Sequence, residues 1–124
     1  MSFSKEEIRL IVLCGQLMQV IDFGVDPSEV TAVKSFIKEH WSHDEAEYEI
    51  LLDGIGKAIE EFRSAPHELE QRIGRLLDQV KEELSPDGIK LLFQLLHQVA
   101  DADGRVAPQE AGLLRRFYVS AKSP

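Results

Sequence analysis

The sequence predicts an all-α fold, a single compact helical bundle containing two pseudo-symmetric helix-loop-helix units, and three observations carry that prediction. Apolar residues recur at intervals of three and four along most of the chain, and no alternating run bounded by turn residues marks a strand. Helix-start signals punctuate the pattern at Ser4, Asp26-Pro27, Ser42, Pro66, Ser85-Pro86 and Pro108. A shift of 81 residues then lays Asp22, Val25, Pro27 and Glu29 over Asp103, Val106, Pro108 and Glu110. The apolar register follows the same shift, with Leu10 on Leu91, Met18 on Val99, Val33 on Leu114 and Phe36 on Phe117.

Ser4 and Glu7 make a capping box, so the first helix should run from about Lys5 to Val20, with Ile8, Ile11, Val12, Gly15 and Met18 on a broad apolar face. Asp26 reads as an N-cap, Pro27 suits a first turn where its missing N–H costs nothing, and Glu29 is placed to reach back. The second helix then carries Val30, Val33, Phe36 and Ile37 inward. Ser42-His43-Asp44-Glu45 offers another capping box. It predicts that the second helix stops near Trp41 and that a third begins at His43. Glu45, Glu47, Glu49, Asp53, Glu60 and Glu61 mark the wet side of the third helix, and Ile50, Leu51, Ile55, Ile59 and Phe62 its dry side. Gly54 and Gly56 lie inside it at a cost of about 1 kcal/mol each against alanine, as a kink or a close crossing.

Pro66 opens a fourth helix with Leu69, Ile73, Leu76, Leu77 and Val80 on one stripe. Ser85-Pro86 opens a fifth, whose Ile89, Leu91, Leu92, Phe93, Leu95, Leu96 and Val99 are apolar around most of its circumference, the mark of a central helix. Pro108 starts a sixth with Ala111, Leu114, Phe117 and Tyr118 turned inward, and the tail from Ala121 should fray.

A length of 124 residues fits one domain, 1–124, large enough to bury one core. Hydrophobic residues at 44% and charged residues at 29% exclude a disordered chain. The net charge of −8 repels phosphate backbones and anionic lipid heads, which argues against nucleic acid and membrane surfaces and for cations or basic protein patches. A protein partner is expected, a homodimer being one form of it. Cys14, the single cysteine, falls on the apolar face of the first helix and is expected to be buried. The first residues lack the basic-then-apolar order of a signal peptide, and no apolar run reaches the ~20 residues of a membrane span, so a cytoplasmic location is expected.

The functional reading centres on Val99-Ala-Asp-Ala-Asp-Gly-Arg-Val-Ala-Pro-Gln-Glu110, an acidic loop between an apolar helix pattern and a fresh helix start. Asp101 and Asp103 offer two carboxylates, and Gly104 supplies the backbone freedom that a sharp reversal needs. The first copy, near residues 21–29, has Phe23 where the glycine stands and Gly24 one residue late. An apolar helix, then Ala-Asp-Gly, an apolar residue and a helix opening on an acid, once near each end of a helical chain of this size, resembles the TerB-like (tellurite-resistance protein B) family. The second copy, Ala102 to Glu110, carries the resemblance; the first departs from it. The resemblance implies a compact bundle with both acidic loops on one side, divalent-cation binding by carboxylates, and a link to tellurite or stress response.

Set against an EF-hand loop, Asp101, Asp103, Gly104, Val106 and Glu110 take the third, fifth, sixth, eighth and twelfth positions, but the first is the apolar Val99. An ordinary EF-hand is therefore not expected. A shared site is more attractive, in which Asp22, Glu29, Asp103 and Glu110, with Asp101, surround one calcium or magnesium ion. The competing reading is a protein-interaction scaffold whose acids only cap helices. Any ion should lean on the second loop, because Asp26 is occupied as a cap and Phe23 should pack on the bundle. His40 and His43 are three apart, but a helix break at Ser42 separates them, so zinc is not expected; His67 lies at a helix start and His97 in the apolar fifth helix, as an interior or rim residue. No glutamate stands three residues before a histidine as diiron bundles require, and no phosphate loop, nucleophile elbow or His-Glu-x-x-His motif occurs. A non-enzymatic module follows.

Overall fold

One carboxylate joins the first turns of two helices. The hydroxyl of Ser4 accepts the Glu7 amide (3.1 Å) and Glu7 Oε1 accepts the Ser4 amide (3.5 Å), which closes the predicted capping box. Glu7 Oε2 also accepts the amide of Ser85 (3.2 Å) and its hydroxyl (2.9 Å), while Ser85 Oγ accepts the Gly88 amide (3.1 Å). The helices so capped are α1 (Lys5–Val20) and α5 (Pro86–Asp101). The remaining elements are α2 (Pro27–His40), α3 (Glu45–Ser64), a 3₁₀ turn (Pro66–Glu68), α4 (Leu69–Glu83) and α6 (Pro108–Lys122). The computed structural model describes residues 3–21, 27–41, 44–102, 104 and 108–122, and among these it contains no strand.

The bounds of α1 and α5 stand 81 residues apart at both ends, and so do the starts of α2 and α6. Packing departs from the expectation that the fifth helix alone is central. α1 touches α5, α2, α3 and α4, whereas α5 touches α1, α2 and α6. The reason is circumference: Ile8, Ile11, Val12, Cys14, Leu17 and Met18 are almost fully buried and surround α1 on most sides. Leu91, Leu92, Leu95, Leu96 and Val99 of α5 complete the axis of the core, with Val33, Phe36, Ile37, Ile73, Val80, Leu113 and Phe117 packed around it. Burial pushes the Cys14 thiol far above its usual range, so it behaves as an inert small hydrophobe.

The third helix begins later than its capping signal suggested. Asp44 is the N-cap and accepts the Ala46 amide (3.0 Å), and the Trp41 indole donates to the Asp44 carbonyl (3.2 Å); Ser42 and His43 lie outside the described residues. Ile50, expected on the dry side, is 65% exposed. Tyr48 and Leu51, one turn apart, are the residues that pack, and Ile50 stands about 100° round from Leu51. The side chains of Ile55, Ile59 and Phe62 lie outside the described set. Gly54 has open space where a Cβ would stand, so it marks no close crossing. Pro66 opens a 3₁₀ turn, and α4 proper follows from Leu69. On α6 the buried stripe is Glu110, Leu113 and Phe117, which leaves Ala111 and Tyr118 exposed; the Tyr118 ring rests on Phe93 (centroids 4.4 Å apart). Arg116 pairs with both carboxylate oxygens of Glu70 (3.1 Å each) and ties α6 to α4 at the surface. Among the described residues no helix is long and apolar enough to cross a membrane.

The crossing of α1 with α5 sits at Gly15. A Cβ there would stand 2.8 Å from Leu95 Cδ2, 3.3 Å from Leu95 Cγ and 3.5 Å from Val33 Cγ2. Gly15→Ala should change stability little, because the Leu95 methyl can turn aside and alanine recovers about 1 kcal/mol of helix propensity. Gly15→Val should cost about 1–3 kcal/mol of stability by overpacking, read as a lower urea midpoint; equal midpoints for wild type and Gly15→Val would show that the crossing is not close.

Candidate cation site at the loop end of the bundle

Contacts along α1 and α5 advance in the same direction. Glu7 meets Ser85 and crowds the Cα of Gly88, where a Cβ would lie 2.6 Å from Glu7 Oε2, and two turns further on Gly15 meets Leu95. The two helices are therefore parallel and nearly in register, and their C-termini emerge at one end of the bundle. Both acidic connections leave from that end. α2 and α6 return from it, each opening on a proline whose missing N–H suits the first turn.

Glu29 and Glu110 are the third residues of α2 and α6, and both are buried, with 4% and 2% of their surface exposed. A carboxylate in a first turn is favoured by the helix dipole and can bond the free amides before it. Neither is free, since each has a hydrogen-bonding or electrostatic partner. Burying a carboxylate at all is costly unless its charge is met. The last turns of the helices that end beside them hold no basic residue of their own. α2, α3 and α4 carry Lys38 and His40, Arg63, and Lys81 in their last turns, but α1 and α5 carry no basic residue in theirs. Two parallel helices thus present their negative ends together, with no basic residue in the last turn of either.

Asp101 lies in the last turn of α5 and is exposed, with its carbonyl accepting the Gly104 amide (2.9 Å). Gly104 has φ +80°, the left-handed conformation expected of it, and open space beyond its Cα. Asp22, Phe23, Asp26 and Asp103 lie outside the described residues. Among the described residues no three His, Cys, Asp or Glu side chains form a group able to hold a metal. The EF-hand register fails in shape as well as in ligands: its first position, Val99, is fully buried inside α5, and its third, Asp101, is still helical. Among the described residues the histidines do not assemble, and His43 lies outside them. His40 stacks on Phe36 (4.7 Å between centroids), while His67 and His97 are exposed.

Sequence reasoning passed over Gln19. It is wholly buried in the last turn of α1, and neither its amide nitrogen nor its carbonyl oxygen finds a hydrogen-bond partner among the described residues. A signal was present: Gln19 continues the Ile8, Val12, Gly15 series at helical spacing and is a polar residue on an apolar face.

Because only conformation and not space singles out Gly104, its replacement tests the turn directly. Gly104→Ala should cost about 1–2 kcal/mol in chemical denaturation, and Gly104→Asn less, since asparagine visits the left-handed region more readily. Equal midpoints for all three proteins would mean that the positive φ is not required.

No curated protein and no solved structure matches the chain. A family model does: that of tellurite resistance protein TerB matches residues 7–120, from the carboxylate that joins α1 to α5 through the last turns of α6. With the match spanning both acidic connections and every helix between them, the chain belongs to the TerB family.

Proposed function

We propose that this protein is a non-enzymatic cytoplasmic module that binds a divalent cation, calcium or magnesium, between its two acidic connections, in the setting of a stress response or of the tellurite resistance that the family description names. The observation that carries the reading is the burial of Glu29 and Glu110 at the same end of the parallel α1 and α5 pair. Asp22, Asp101 and Asp103 are the further oxygen donors that the connections offer, and hard cations take carboxylate oxygens first. The two helix-loop-helix units would act as pseudo-symmetric halves, each supplying one first-turn glutamate. No general base, nucleophile or substrate cleft is needed for this role.

A second reading is supported by the position of the same glutamates. The third residue of a helix is where a capping carboxylate sits, and under this reading Asp103 and Glu110 only cap α6 while a protein partner is met elsewhere on the surface. The two differ in their response to metal. Calorimetric titration with calcium, magnesium and zinc, paired with melting curves, should give heat and a higher melting temperature for at least one ion. Heats equal to buffer and no melting shift at millimolar metal would leave the capping reading standing.

The halves should contribute unequally. The second connection keeps Asp101, Asp103, Gly104 and Glu110, while the first has Phe23 at the turn. Asp103→Ala or Glu110→Ala should weaken binding tenfold or more, on the order of 1.4 kcal/mol, and Asp22→Ala should weaken it less. Titration of the three folded variants against one ion checks this, and an equal or larger loss in Asp22→Ala would make the first connection the principal site.

A further inference from the structure

We propose that Gln19 is a ligand of this cation, with its side-chain carbonyl supplying a neutral oxygen beside the carboxylate of Glu29; the inference rests on the cation reading above. Gln19 has no exposed surface, and both polar atoms of its amide lack a partner among the described residues. Buried amides are seldom left in that state, because their desolvation is then uncompensated. Something that the amide meets when the protein is at work would account for its retention.

Its place in the fold says what that is. Gly15 marks the point where α1 meets Leu95 of α5 and Val33 of α2. Four residues further along the same face of α1 is Gln19, and four residues along the parallel α5 is the buried Val99. α2 runs back from the loop end, so the residue one turn from Val33 toward that end is Glu29, on the same helix face. The register thereby puts Gln19 on the face of α1 that meets α5 and α2, at the level of Val99 and Glu29. Gln19 lies in the last turn of α1, near the end where two helix C-termini converge with no basic residue in either last turn.

The chemistry fits a hard cation. An amide carbonyl is an ordinary oxygen ligand for calcium, and the amide N–H groups can orient a neighbouring carboxylate. The position 81 residues on is Ala100, buried but without a donor. Gln19 therefore supplies on the first half an oxygen that the second half obtains from its richer loop. Asp101 and Asp103 both belong to that loop.

Titration of wild type and Gln19→Met with calcium and with magnesium tests this. Methionine keeps the length of the side chain and removes both orphan polar atoms. The expected result is an affinity for the bound ion reduced tenfold or more, with a metal-free melting temperature equal to or above that of wild type. In ¹⁵N-labelled wild type, one buried glutamine side-chain NH₂ pair, assigned to Gln19, should shift on addition of the ion. Unchanged affinity in Gln19→Met, or an unmoved Gln19 resonance in a protein that binds the ion, would overturn the assignment and leave the cation reading intact. Absence of binding by wild type would remove both. If Gln19→Met does not fold, the wild-type resonance decides.

Discussion

The close parallel crossing of α1 and α5 is the constraint from which the rest of the molecule follows. Leu95 fills the space that a side chain at Gly15 would take, and Glu7 fastens the two N-termini by caps that serve both helices. Fixing one contact near the start and another at the middle leaves little freedom in the angle or register of the pair. α2 packs over both members, α3 and α4 against α1, and α6 against α5 and α4. Each fully buried leucine or isoleucine on this axis contributes about 1.5–3 kcal/mol by leaving water. The residues lost from such an axis would be felt by every other helix at once.

Parallel packing of two helices that follow one another in the core needs a return through the chain between them, and α2, α3 and α4 occupy that stretch. That return explains why α1 became as central as α5. A helix at the start of the chain that must receive α2 on one side, α5 on another, and α3 and α4 on the remainder needs apolar residues around most of its circumference. Gln16 and Gln19 lie buried in the same helix.

Local chemistry was the part of the fold most legible in the sequence. Ser4, Ser85, Pro27 and Pro108 mark starts that depend on a few adjacent backbone groups, and the structure places α1, α2, α5 and α6 where those signals indicate. The misplaced features are one junction with two candidate caps and the faces of helices decided at a distance. Asp44 rather than Ser42 caps α3, in a junction where the Trp41 indole also bonds the Asp44 carbonyl. Ile50 is exposed because Tyr48 and Leu51 set the stripe that meets the core, and Tyr118 is held by Phe93 rather than by the interior. Hydrophobicity alone does not reveal which of two adjacent apolar residues will face a partner helix. In the candidate site the first-turn glutamates were legible as residues but not as buried ones, since their enclosure comes from the crossing of helices far apart in sequence.

That enclosure bears on why acids belong there. A first-turn carboxylate in water satisfies a few amides and keeps its hydration, and its burial is then an unnecessary cost. Here two of them are buried at the end where α1 and α5 terminate, and neither helix carries a lysine, arginine or histidine in its last turn. The other helices with described last-turn cations show that the chain has basic residues to spare for such positions. Capping accounts for an acid at the third helical position, but not for last turns of α1 and α5 that carry no basic residue of their own. Under the cation proposal a positive charge from solution would meet both, and it would give the buried amide oxygen of Gln19 a partner.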